Sequence, residues 1–228
     1  MSVGIKPLIL AGGRSTRMKS PKHLLQLPDG TPLYLHQCDI LKQACPDARV
    51  VYISLAQDSP INENLLDPGS YGMHIIYDQE ANDTTESAGP AQGLLAAHRS
   101  DPTATWLVLA VDYPLMSVEA IQLLRQSYSH PVTCFQNDDG FCEPLVGIWS
   151  PDALEKLEAN VRSGRGSPSA VVRQLDGRQV RIPQDGRRWL MNVNTEAEWE
   201  ELLQQLALVH PQVTPGMHRS PVDEKSST

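Results

Sequence analysis

The chain has 228 residues, 40% hydrophobic and 20% charged, with a formal net charge of -8. That length suits one α/β domain with a sizeable core, and the acidic balance argues against a nucleic-acid or membrane-surface binder, which would carry a broad basic face. No apolar run approaches the ~18 residues of a membrane span. The four cysteines (Cys38, Cys45, Cys134, Cys142) form no CxxC pair and read as buried thiols in a reducing compartment, so a cytoplasmic protein is expected.

In chain order, the run PLIL at 7–10 reads as a strand and leads directly into Ala11-Gly12-Gly13 and a basic stretch from Arg14 to His23. A helix is expected over Leu33 to Ala44, then strands over 50–55 (VVYISL) and 74–78 (HIIYD) and a helix over Ala91 to Arg99. WLVLAV at 106–111 is apolar enough to be a strand buried on both faces. A helix over Val118 to Tyr128 has Ser117 as its N-cap, and VTCFQ at 132–136 is a further strand. The NDDG turn at 137–140 precedes a strand over 141–149 (FCEPLVGIW). The next helix is capped by Ser150, opened by Pro151 and stopped by Gly164. A last strand over 189–195 (WLMNVNT) feeds a final helix. This alternation predicts an α/β fold: a mostly parallel, Rossmann-like sheet with helices on both faces. No linker divides residues 1–208, read as one domain, and the polar residues 209–228 are expected to be a disordered tail.

In such a sheet, ligands sit beyond the carboxyl ends of the strands. Gly12 and Gly13 stand at one such end, where a missing Cβ lets phosphate oxygens approach backbone N–H groups. Arg17 and Lys22 supply cations suited to phosphate, although a Gly-Gly pair alone often makes only a turn. The arrangement is neither Walker A nor the dinucleotide GxGxxG. Asp112 emerges from the end of the most apolar strand, where a carboxylate is costly unless paired or metal-bound. Beside a polyphosphate it would hold Mg²⁺, a hard cation that prefers oxygen. The plainer alternative is a cap for the following helix. Asn192 and Asn194 alternate with Val193, so on a strand both would face the site; their plainer alternative is a turn.

Taken together, these residues resemble the molybdopterin guanylyltransferase (MobA-like) family. Leu10 to Met18 reads LAGGRSTRM against the family's LAGGxSxRM, followed by Lys22 and Leu24-Leu25. The family's later motifs come in order: Asp78 ending IIYD, GPAQG from Gly89 to Gly93, DYP from Asp112, EPLVGIW, and NVNT from Asn192 to Thr195.

The resemblance implies a nucleotide-diphosphosugar-transferase-like fold and a Mg²⁺-dependent nucleotidyltransferase. Its substrates would be GTP and molybdopterin (molybdenum cofactor), with GMP joined to the acceptor's terminal phosphate and pyrophosphate released. It further implies that Leu10, Ala11, Gly12, Gly13, Lys22, Ser54, Asp78, Gly89 and Asp112 bind nucleotide. Arg17, Lys22 and Asp112 would serve catalysis, Asp112 and Asn194 the metal, and Asn192 and Asn194 orientation of the acceptor or site. A protein that delivers or receives the unstable cofactor is implied as a partner.

Three positions depart from the family pattern. Lys19 stands where Gly is usual, Pro21 where Asp is usual, and His23 where a small residue is usual. Together they should crowd and stiffen the segment before Leu24. The isolated His36 and His74 read as packing or surface residues. Two other readings stay open: a cytidylyl- or sugar-phosphate nucleotidyltransferase of the same fold, and a non-catalytic nucleotide- or cofactor-binding protein. Relatives that use CTP tend to read LAAG where this chain reads LAGG.

Overall fold

The computed structural model describes residues 4–12, 18, 20–61, 72–78 and 91–209. The strands are β1 (Ile5–Leu10), β2 (Val51–Leu55), β3 (Met73–Tyr77), β4 (Thr105–Ala110), β5 (Val132–Gln136), β6 (Cys142–Trp149) and β7 (Arg178–Arg181). The α-helices are α1 (Leu33–Ala44), α2 (Ala91–Ser100), α3 (Val118–Gln126), α4 (Pro151–Arg162), α5 (Pro168–Gln174) and α6 (Glu196–Val209).

One sheet runs β3-β2-β1-β4-β6-β5-β7. Strand β1 pairs in parallel with β2 and β4, β2 with β3, and β5 with β7; β6 runs antiparallel to β4 and to β5. Because β4 and β5 both oppose β6, they are parallel to each other. One edge of the sheet therefore carries the carboxyl ends of β1 to β5 and β7 and the amino end of β6. All six residues of β4 are buried, as its apolar run requires at the centre of a sheet covered on both faces. Helix α1 packs with α3, and α2 with α4, which also holds α5.

Serine caps start three helices. Ser117 Oγ accepts from Ala120 N at 3.2 Å in α3, Ser150 Oγ from Ala153 N at 3.3 Å in α4, and Ser167 Oγ from Ala170 N at 3.4 Å in α5. Gly164, at φ 75°, ends α4 as expected. All four cysteines are free thiols, three buried and Cys142 half-buried. No helix among the described residues is long and apolar enough to cross a membrane.

Two sequence expectations are corrected. Residues 189–195 do not form a strand. Trp189 N donates to Gly186 O at 2.9 Å and Met191 N to Arg188 O at 3.1 Å, so local turns satisfy the backbone that a ladder would have used. The sheet's last strand is β7, RQVR, in which only Val180 is even partly buried. An edge strand with one packed residue carries no period-2 apolar signal. The expected α3 also ends two residues early, at Gln126. The tail from 210 onward lies outside the described residues.

Candidate active site

The centre of the site is Asp112, just beyond β4. Val111 N donates to Leu10 O at 2.9 Å, extending the ladder one step before the chain turns away. Buried Gln37 of α1 fastens this turn: its Nε2 lies 3.2, 3.2 and 3.3 Å from the carbonyl oxygens of Ala110, Val111 and Tyr113. Asp112 Oδ2 is 3.6 Å from Lys22 Nζ. Its other oxygen, Oδ1, is buried and has no hydrogen-bond partner among the described residues. Burial pushes the Asp112 carboxyl above the ordinary aspartate range, against the pull of the Lys22 ammonium.

Lys22 opens a short 3₁₀ turn, Lys22–Leu24, in which Leu24 N donates to Pro21 O at 3.0 Å. His23, the bulky departure, points into the core at 1% exposure. Its Nε2 donates to Pro60 O at 2.8 Å, and its ring meets Tyr34 edge-on. The crowding expected at His23 is thus absorbed by the core, and Lys22 next to it faces the carboxylate. Lys22 Nζ also donates to Asn194 Oδ1 at 3.0 Å.

Asn194 is held by the start of α6. Val193 N donates to Asp112 O at 2.9 Å, tying this loop to the turn after β4. Glu198 Oε2 accepts from Asn194 N at 2.6 Å and Thr195 N at 3.1 Å, while Glu198 N donates to Thr195 Oγ1 at 3.3 Å. That is a reciprocal helix cap, readable in the sequence as Thr-x-x-Glu. Asn194 joins Lys22 and Asp112 as expected, but from a loop rather than a strand. Asn192 is exposed, and no hydrogen bond ties it to that group. The expected shared strand face does not exist, because without a strand alternate residues need not point the same way.

A second group lies at the ends of β1, β2 and β3. Ala11 N donates to Ser54 O at 2.9 Å, and Asp78 N to Leu55 O at 2.7 Å. The Ser54 hydroxyl donates to Asp78 Oδ1. A Cβ on Gly12 would lie 2.0 Å from Asp78 Oδ2, so only glycine lets that carboxylate lie across the end of β1. Burial pushes the Asp78 carboxyl above its ordinary range, opposed by the Ser54 hydroxyl and by Arg99. Ala11 N and Leu10 O are both spent within the sheet, so these two residues shape the site mainly through position. The expectations for Gly13, Arg17, Lys19 and Gly89 lie outside the described residues.

Sequence reasoning missed two contributors. Gln37 carried no signal, since a polar residue on an amphipathic helix reads as solvent-facing. Glu143, at the amino end of β6, stands in the sequence only as one letter of the EPLVGIW motif, with nothing beside it to mark a partner. It accepts from Tyr113 Oη at 2.8 Å and from Asn137 Nδ2 at 3.2 Å.

The donor set suits magnesium. Among the described residues no three His, Cys, Asp or Glu side chains gather as a protein-only cage. Magnesium does not need one: it is commonly held by one or two carboxylates with substrate phosphates and water. The unpartnered Asp112 Oδ1 is an oxygen donor of the kind such a cation takes.

Residues 7–180 match the model of the MobA-like NTP transferase domain. The chain belongs to the MobA-like NTP transferase family. It is accordingly an enzyme of the nucleotidyltransferase type. A probable molybdenum cofactor guanylyltransferase of Rhodopirellula baltica is 32% identical over 198 residues, covering 84% of this chain and 88% of that one. Among solved structures, the molybdopterin-guanine dinucleotide biosynthesis protein A of Archaeoglobus fulgidus superposes with a TM-score of 0.64 at 17% identity, over 89% of this chain and 99% of that one. A Mycobacterium tuberculosis protein in complex with manganese gives a TM-score of 0.57 at 16% identity, over 89% and 99%. The fold of this MobA-like chain is that of the nucleotide-diphosphosugar transferases.

Proposed function

We propose that this MobA-like enzyme transfers GMP from GTP to the terminal phosphate of molybdopterin, carrying or awaiting its molybdenum, and releases pyrophosphate. The observation that carries the reading is the convergence of Lys22, Asn194 and Asp112, with one buried Asp112 oxygen unpartnered, at the strand edge where a nucleotide would lie. The acceptor is taken from the relatives named as molybdenum cofactor guanylyltransferases.

In this reaction an acceptor phosphate oxygen bonds to the α-phosphorus of GTP. The bond from that phosphorus to the α,β-bridging oxygen breaks, and its electron pair leaves on pyrophosphate. No protein nucleophile is required, so the residues have to position the reactants and offset charge. Lys22 stabilises the charge gathering on the phosphates, and Asn194 aims its ammonium. Arg17 supplies a second cation and the Gly12-Gly13 backbone a close approach, on the strength of the sequence motif. Asp112 and the neighbouring Asn194 would hold Mg²⁺, which neutralises phosphate charge when bound. Asp78, fixed by Ser54, presents acceptor oxygen to the N1–H and 2-amino donors of guanine. Gly12 is what permits that placement, since the alanine of LAAG sequences would put a methyl group where the Asp78 oxygen lies. A protein that delivers the acceptor or takes up the product would dock at the same edge.

The test is purified protein with Mg²⁺ and each labelled NTP, with and without metal-loaded molybdopterin, scored for pyrophosphate release and product. Transfer from GTP, dependent on molybdopterin, is expected. Transfer from CTP alone or onto a sugar phosphate would overturn the reading in favour of another nucleotidyltransferase. Tight nucleotide binding with no turnover would replace it by a binding protein.

A further inference from the structure

Beyond Asp112 the shared edge of the sheet continues onto β6 and β5, a stretch given no role above. Register pairs Leu109 with Val146, so the amino end of β6 comes level with the turn holding Asp112 and Tyr113. Glu143 stands there, half-buried. Tyr113 Oη donates to its Oε2 and Asn137 Nδ2 to its Oε1, one bond to each oxygen. Tyr113 is itself buried, which holds its ring beside the strand end. Asn137 is itself fixed: Phe141 N donates to its Oδ1 at 2.9 Å, and its own N donates to Phe141 O at 2.9 Å.

Two such bonds lock the rotation of the carboxylate while leaving each oxygen a further lone pair. A carboxylate held in this way matches a ligand that offers two parallel N–H donors on one flat edge. Phe141, one residue before β6 and bonded to Asn137 through its backbone, is 70% exposed, an aromatic ring open to a ligand at this end of the strand.

We infer that Glu143, positioned by Tyr113 and Asn137, recognises the 2-amino-4-oxo pyrimidine edge of a pterin, accepting from its ring N–H and its exocyclic amine. The inference deepens the function proposed above and rests on its acceptor being a pterin phosphate. It assigns the two halves of the strand edge to two substrates: the ends of β1 to β3 to the nucleotide, and the Tyr113–Glu143–Asn137 group to the acceptor's ring.

Equilibrium binding of two fluorescent probes tests it without turnover. One probe is 6-hydroxymethylpterin monophosphate; the other is its 2,4-dioxo counterpart, which lacks the amino donor. The wild-type chain should bind the pterin probe about tenfold or more tightly than the dioxo probe, because the dioxo probe replaces a donor to a charged group with a carbonyl oxygen that repels it. Glu143→Gln should abolish most of that preference while leaving GTP binding unchanged, and Tyr113→Phe should reduce it. Equal binding of the two probes by the wild type overturns the inference, as does an undiminished preference in a folded Glu143→Gln variant. A preference that depends on Glu143 in a protein showing no GMP transfer would sink the proposed reaction and leave the pterin site standing.

Discussion

The two halves of the sheet reach the same edge by different routes. From β3 to β4 every strand is parallel, so each delivers the residue after its carboxyl end: Asp78 after β3, Gly12 after β1, Asp112 after β4, with Ser54 near the end of β2. From β6 to β7 the order is broken, because β6 runs backwards and presents its beginning. Glu143 reaches the edge from the second residue of its strand, and Asn137 from the turn after β5. The chemistry differs as well. In the parallel half the carboxylates sit against a glycine or a lysine, each with burial raising its pKa. In the other half Glu143 is already held through both oxygens.

The sharpest break of this comparison is Asp112→Asn. Removing the carboxylate that the proposed metal needs should lower turnover about 10²–10³-fold. Stability should stay level or rise slightly at neutral pH. Because the folded-state pKa is raised, the ionised form is less favoured in the folded chain than in the unfolded one. The contribution of this group to stability is thus most favourable below the ordinary value of 3.8 and declines as pH rises through its folded value. For the same reason the acid limb of the activity profile should fall at a pH above 3.8, since Asp78, which is not a ligand of the proposed metal, takes up its proton early. Near-neutral thermal unfolding and a pH–rate profile check both points. A variant that fails to fold would instead assign Asp112 to capping and structure.

Gly12→Ala sharpens the nucleotide side. The new methyl must displace the Asp78 carboxylate, a side-chain end that can move, so the fold should survive while GTP binds about tenfold more weakly. Titration with GTP and CTP reads this directly: GTP should lose affinity and CTP should not. An equal loss for both would separate Asp78 from base recognition.

Thr195→Ala should have the smallest effect. It removes half of the reciprocal cap on α6, at about 1 kcal/mol of stability, which for a chain of this size is about 2–4 °C in melting temperature. Turnover should fall only a few-fold, because Glu198 still accepts from Asn194 N.

Much of this was legible in the chain itself. Apolar runs bounded by glycine and proline marked five strands of the sheet together with the strand that became β6, and serine followed by helical period marked α3 and α4. Strand-end position singled out Asp112, because a charge leaving an apolar run is informative without any knowledge of its neighbours, whereas Lys22 came from the basic stretch after Gly12-Gly13 and Asn194 from alternation and the NVNT motif. Strand β7 and helix α5 escaped, one for having a single packed residue and the other for its seven-residue length. The residues 189–195 imitated a strand because apolar residues alternating with polar ones cannot by themselves tell a ladder from a run of turns, and here only Val193 is fully buried.

Tertiary structure alone decided three things: that Gln37 fastens the turn after β4, that Asp78 lies in the space Gly12 leaves open, and that Glu143 is gripped by Tyr113 and Asn137. Each joins residues from different elements, 30 positions apart for Tyr113 and Glu143 and 73 for Gln37 and Ala110. Local sequence encodes the period and the ends of an element. Which polar groups meet across elements depends on strand order and direction, and those are settled only when the whole core packs.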